Sequence, residues 1–212
     1  MFYYFCKVLV IAALRVAFRM KYEGRDNIPK DSPVIYASNH RTNADPPVVG
    51  SGARGRCVFM AKEELFQGNI LFKWLIQALG AFPVSRGKGD SATLDTAVEN
   101  LNSGRSLTIF PEGTRSKDGK VHRGHSGAAV IAVRANKPII PVGVVFGEKL
   151  KFRTPVTVKY GKPIDPAEYI EDFENPNPRQ LVKLKNRYMA DIKQLVEGDA
   201  AAADDKKEGG NE

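Results

Sequence analysis

His40 and Asp45 stand with four residues between them in Asn39-His40-Arg41-Thr42-Asn43-Ala44-Asp45-Pro46-Pro47, directly after the apolar run 34–38. A segment of that length can fold back on itself. The Asp45 carboxylate then accepts a hydrogen bond from one imidazole nitrogen, fixes the tautomer and supports the cation formed when the other nitrogen takes a proton. That is the base half of a Ser-His-Asp triad, with a substrate hydroxyl in place of the serine. The same residues also have a purely structural reading. Asp45 before Pro46 is a good helix N-cap with proline at the first helical position, and His40 is then a loop residue. Both roles of Asp45 are compatible.

Three cation-bearing segments accompany the pair. Phe110-Pro111-Glu112-Gly113-Thr114-Arg115-Ser116 follows the β-rich run 106–110 and combines a glycine that permits close backbone approach with an arginine fork suited to phosphate. Gly80-Ala81-Phe82-Pro83-Val84-Ser85-Arg86 supplies a second arginine after the run 81–84, and Lys62 follows the run 57–61. Taken singly, such cations are ordinary surface charges. At the ends of three strands around one histidine, they read as a phosphate-binding rim. No metal and no cofactor is expected, because His40, His122 and His125 are the only histidines and no cysteine or carboxylate cluster completes a ligand set. Gly124-His125-Ser126-Gly127-Ala128 superficially resembles a hydrolase nucleophile elbow, but it lacks the final glycine. In that fold the catalytic histidine also follows the serine, and no histidine follows Ser126.

These residues need elements to hold them. The runs 34–38, 57–61, 81–84, 106–110, 139–145 and 156–160 read as short strands. Helical stretches separate several of them: 70–79, the group Leu94, Ala97, Val98 and Leu101 ahead of Gly104, and 126–136. After a turn-rich stretch with Pro176 and Pro178, a last helix carries Leu181, Leu184, Tyr188, Ile192 and Leu195 at helical spacing. Such alternation predicts an α/β sandwich with a mixed, largely parallel sheet and its site beyond the strands' carboxyl ends.

With these blocks in view, the chain resembles the PlsC family of 1-acyl-glycerol-3-phosphate acyltransferases, within the wider glycerophospholipid acyltransferases. Four blocks match in order: NHRTNAD at 39–45, GAFPVSR at 80–86, FPEGTRS at 110–116 and KPIIPV at 137–142, and the resemblance spans about residues 27–163. It implies the family's α/β sandwich and transfer of a fatty acyl group from acyl-CoA or acyl carrier protein to the sn-2 hydroxyl of lysophosphatidic acid. His40 is then the base and Asp45 its partner. Arg86, Glu112, Gly113, Thr114 and Arg115 bind the acceptor, the arginines taking its phosphate, and Lys62 joins them through the family-like AKEEL segment at 61–65. Val121-His122-Arg123 stands where many members carry a phenylalanine-lysine pair before the glycine, which leaves the acceptor open to another lysolipid or to glycerol 3-phosphate.

At 212 residues and 42% hydrophobic, the chain has the length for one sizeable core, so one catalytic domain is expected, over residues 23–197. A formal charge of +8 draws polyanions, whether nucleic acid, anionic headgroups or phosphorylated substrates. A non-catalytic basic membrane- or nucleic-acid-binding module would fit the charge but leaves the four ordered blocks without a purpose, and no nucleic acid partner is expected. Cys6 and Cys57 form no redox or metal spacing, which suits a reduced, cytosolic compartment. Residues 1–22 are apolar except for a few charges. Lys7, Arg15 and Arg19 fall in one helical sector and leave Phe2, Phe5, Leu9, Ala13 and Val16 on the others, the pattern of an amphipathic helix lying on or shallowly inserted into the cytoplasmic face of a membrane; a buried core helix and a secretory leader are the competing readings. Residues 198–212 lose apolar periodicity and are expected to form a disordered tail.

Overall fold

The computed structural model describes residues 2–84, 91–147 and 151–208, with side chains through 198. Helix α1 (Phe2–Ala17) leads into β1 (Phe18–Glu23). There follow β2 (Ile35–Ser38), α2 (Asp45–Gly52), β3 (Cys57–Lys62), α3 (Ile70–Ala78), β4 (Ala81–Val84), α4 (Ser91–Asn102) and β5 (Ser106–Ile109). The chain continues through α5 (Gly127–Ala135), β6 (Ile139–Phe146) and β7 (Thr154–Tyr160) to α6 (Pro178–Glu208).

The seven strands form one sheet in the order β1-β7-β6-β2-β5-β3-β4. Every pairing is parallel except β6 with β7. The expected α/β sandwich with a mixed, largely parallel sheet is therefore the fold. Side-chain alternation along the strands divides the core in two. Ile35 and Ala37 of β2 pack with Leu101 of α4, Ile131 of α5 and Leu184, Tyr188 and Ile192 of α6. Tyr36 between them points to the opposite face, with Leu14 of α1, Val48 and Val49 of α2, and Val142, Val156 and Val158. All four residues of β2 are buried, as befits a central strand covered on both faces.

Two boundaries differ from the sequence expectation. The N-terminal helix stops at Ala17, and residues 18–23 form a strand in parallel register with β7, from Phe18 opposite Thr154 to Glu23 opposite Lys159. Phe18, Met20 and Tyr22 pack inward while Arg19 and Lys21 point out, a period-two pattern hidden in sequence behind a longer helical one. At the other end the backbone of α6 stays helical to Glu208, through the stretch for which disorder was expected. The run 200–203 is all alanine, the strongest helix former, and no proline interrupts it.

The parallel register has one consequence for function. β2, β5, β3 and β4 are neighbours that all run the same way, so the segments leaving Ser38, Ile109 and Lys62 emerge along one rim of the sheet.

Candidate active site

Asp45 is the first residue of α2, with Pro46 and Pro47 in the first turn, where a missing N–H removes no intrahelical bond. Ala44, not Asp45, holds the cap position, so the Asp45 carboxylate is free to turn back across the loop. It accepts from His40 Nδ1 at 2.7 Å, from the backbone N–H groups of Arg41 at 2.6 Å and Thr42 at 2.7 Å, and from the Thr42 hydroxyl at 2.8 Å. Its solvent exposure is 0%. A carboxylate surrounded by four donors acts as an acceptor, so Nδ1 carries the proton and Nε2 presents its lone pair. Nε2 has no hydrogen-bond partner among the described residues.

The imidazole is fixed from two further sides. Phe110 lies under it with ring centroids 4.2 Å apart and planes 23° from parallel. The His40 backbone N–H donates to Glu112 Oε1 at 3.1 Å, while its carbonyl accepts from the Ser116 N–H at 2.7 Å. The loop after β5 thus grips the loop after β2. Asn39 anchors the latter on its other flank, its side chain exchanging hydrogen bonds of 3.0 and 2.8 Å with the backbone of Val144 on β6.

Glu112 is buried, and its second oxygen accepts from the His122 N–H at 3.2 Å. Burial raises its pKa, opposed by those two amide bonds and by the charges of the histidines. Both Glu112 oxygens accept from backbone, so the side chain tethers the two loops, and each oxygen keeps a lone pair for the acceptor contact that the resemblance implies. Gly113 likewise shapes the loop: its φ of 69° lies in the left-handed region. The exposed Asp118 accepts from Ser116, from the Lys120 N–H and from His122, which hold its pKa down to about 2.

His40, Lys62, Thr114 and Arg115 line one cavity of about 1160 Å³. That is somewhat larger than the roughly 300–1,000 Å³ typical of small-molecule sites. Its far walls are apolar, with Val10 and Ile11 of α1, Phe59 of β3, and Phe72, Leu75 and Ile76 of α3. Arg115 donates to the Asn43 carboxamide at 3.1 Å, which ties its guanidinium to the His40 loop. Arg86 lies outside the described residues. Phe110, Thr42 and Asn39 were not expected to have roles. Asn39 and Phe110 are the first residues of their matched motifs, but only their partners in space reveal a stack and a β6 anchor.

An imidazole backed by a buried carboxylate, beside an apolar cavity with cations at its edge, is the equipment for deprotonating a hydroxyl beside a long aliphatic group. Fold and site together define an α/β enzyme of acyl transfer. The comparisons agree: the chain belongs to the family described as Acyltransferase, whose model matches residues 19–145. A 1-acyl-sn-glycerol-3-phosphate acyltransferase of Streptococcus pneumoniae (strain ATCC BAA-255 / R6) is 34% identical over 98% of this chain and 78% of its own length. The protein of the same name from Bacillus subtilis (strain 168) is 28% identical over 91% of this chain and 96% of its own. Among solved structures, the 1-acyl-sn-glycerophosphate acyltransferase PlsC from Thermotoga maritima superposes with a TM-score of 0.73 at 28% identity, covering 94% of this chain and 80% of that one.

Proposed function

We propose that this acyltransferase moves a fatty acyl group from an acyl-CoA or acyl carrier protein thioester to the sn-2 hydroxyl of a 1-acyl-glycerol-3-phosphate, giving phosphatidic acid for phospholipid biosynthesis. The observation that carries this reading is the His40–Asp45 hydrogen bond at the edge of an apolar cavity with Arg115 and Lys62 in its wall. His40 Nε2 takes the hydroxyl proton as the oxygen attacks the thioester carbonyl. The C–S bond breaks, and the imidazolium returns its proton to the departing thiolate. Asp45 stabilises that imidazolium and no acyl-enzyme is needed.

Arg115, with Arg86 by resemblance, binds the acceptor phosphate and so sets the hydroxyl beside His40, with Lys62 and Thr114 completing the wall; this is catalysis by positioning. Glu112 and Gly113 build the loop that presents them. The catalytic domain begins at β1, and α1 attaches it peripherally to the cytoplasmic face of a membrane. Among the described residues no helix is long and apolar enough to cross one.

A second acceptor has one relative in its favour: a protein of Pseudomonas aeruginosa named lyso-ornithine lipid O-acyltransferase is 30% identical over 54% of this chain. Incubating labelled acyl donor with a panel of lysolipids and glycerol 3-phosphate, with chromatography of the products, decides between them. Labelled phosphatidic acid is the expected product; turnover confined to another acceptor replaces it. His40→Ala is expected to cut kcat by at least about 10²-fold with the fold intact, and near-normal turnover by that variant would defeat the mechanism.

A further inference from the structure

On a surface helix the outer face is ordinarily polar. In α1 it is not: Phe2, Tyr4, Phe5, Val8, Leu9 and Val16 are all exposed, with Arg15 as the one charge among them. Lys7 turns the other way, its ammonium donating to the carbonyls of Ala53 at 2.8 Å and Gly55 at 3.2 Å. A cation suited to a headgroup pins α1 to the domain instead. Tyr3 adds a second pin, exchanging hydrogen bonds with the backbone of Cys57 at 3.2 and 2.8 Å. The helix is fastened by polar side chains on its inner face, and its outer face is left apolar.

Two elements distant in sequence extend that face at either end. Ile70, Leu71 and Trp74 of α3 are exposed, Ile70 at 83% and Trp74 at 53%. The Trp74 ring meets that of Phe2 at 5.2 Å, so α3 continues the surface at the start of α1. At the other end Phe152 is 75% exposed. Its neighbour Arg153 donates its backbone N–H to the Ala17 carbonyl at 2.7 Å and its guanidinium to the Arg15 carbonyl at 3.0 Å. Arg19 donates to the Arg153 carbonyl at 3.0 Å, so Arg19 and Arg153 meet beside Phe152, at the end of α1 whose last turn carries Arg15.

We propose that α1, α3 and the segment around Phe152 form one lipid-facing platform that lies flat on an anionic bilayer. This rests on the membrane-surface reading above and goes beyond it in adding two elements and an orientation. The occupant follows from chemistry: an apolar strip along about 24 Å of helix, an indole at one end and an arginine cluster at the other match acyl chains bordered by anionic headgroups. With the helix axis in the membrane plane, the cavity walled by α1 and α3 stands at the level of the acceptor's own chains.

Trp74 is the only tryptophan, so it reports on α3 directly. The full chain is titrated with vesicles of equal parts phosphatidylcholine and phosphatidylglycerol, with and without brominated acyl chains, alongside co-sedimentation. Trp74 emission is expected to shift to shorter wavelength and to be quenched by the bromines. Ile70→Ser and Phe152→Ser are each expected to weaken partitioning roughly tenfold. Neither lines the cavity, so acyl transfer to detergent-dispersed acceptor should be unchanged. Replacing phosphatidylglycerol by phosphatidylcholine, or raising salt, should also weaken binding. Binding with unquenched Trp74 overturns the platform and leaves α1 as the sole anchor. Absence of binding to vesicles, with transfer intact in detergent, overturns the platform and the membrane reading while sparing the chemistry. A concentration-dependent blue shift without lipid, with a dimer in sedimentation, assigns the face to a second copy and also overturns it.

Discussion

Asp45 does two things that an asparagine cannot do together: it accepts from four donors and, in the proposed mechanism, balances the imidazolium. Asp45→Asn puts an amide N–H against one of those donors, so kcat is expected to fall by about 10²-fold or more, measured at saturating acceptor with the circular dichroism spectrum unchanged. Glu112 separates positioning from binding. Gln in its place loses one of the two backbone contacts, and we expect kcat to fall roughly tenfold with the KM for the acceptor nearly unchanged. A large rise in KM instead would place Glu112 in contact with the acceptor as well. Cys57 is buried against the Thr108 hydroxyl, 3.1 Å away, and burial pushes its thiol up to about 11. Its folded value lies above the ordinary 9.0, so the unfolded chain ionises first. The stability it contributes is intact below about pH 9 and is lost as pH rises through about 11. Native protein should therefore resist iodoacetamide at Cys57 at pH 8 and react there once unfolded, as read by mass spectrometry. In sequence, His40 and Asp45 were legible as a pair. Glu112 was legible as important but its tether was not, because nothing in a linear motif says which backbone amides a carboxylate meets.

The elements hold the site through close approaches. α6 lies against β6 at Gly143, where a Cβ would sit 2.7 Å from the Leu195 Cβ and 3.1 Å from its carbonyl carbon. Gly143→Val must push the helix off the sheet that Asn39 grips one residue away at Val144. An overpacking cost of about 1–3 kcal/mol is expected, seen as a lower Tm with kcat reduced in the surviving native fraction. The strands and most helices were legible because buried parallel strands are short apolar runs and core helices keep a 3.6-residue period. β1 was not, since its six residues acquire a partner only when β7, more than a hundred residues later, leaves an edge for them.

Across the whole molecule, α1 serves as both wall and platform. Removing residues 2–17 strips Val10 and Ile11 from the cavity and uncovers Cys57. Transfer to detergent-dispersed acceptor should therefore drop, where loss of a simple anchor would leave it unchanged. That assay, run beside vesicle binding, separates the two roles. The net charge of +8 foretold attraction to anions without locating it. Only the folded chain shows arginines gathered at the end of α1 while Lys7 is spent inside.

By itself the sequence determined the pairing of His40 with Asp45, the order of the blocks and the layered α/β class, because residue type, spacing and periodicity are local properties. The tertiary structure decided which atoms those groups reach. Parallel register brought the ends of β2, β5 and β3 to one rim, and a buried carboxylate became a tether because backbone amides surround it. The apolar side of α1 became a surface because its polar side chains found partners beneath. Such outcomes depend on contacts between segments far apart in the chain, and no window of sequence contains both partners.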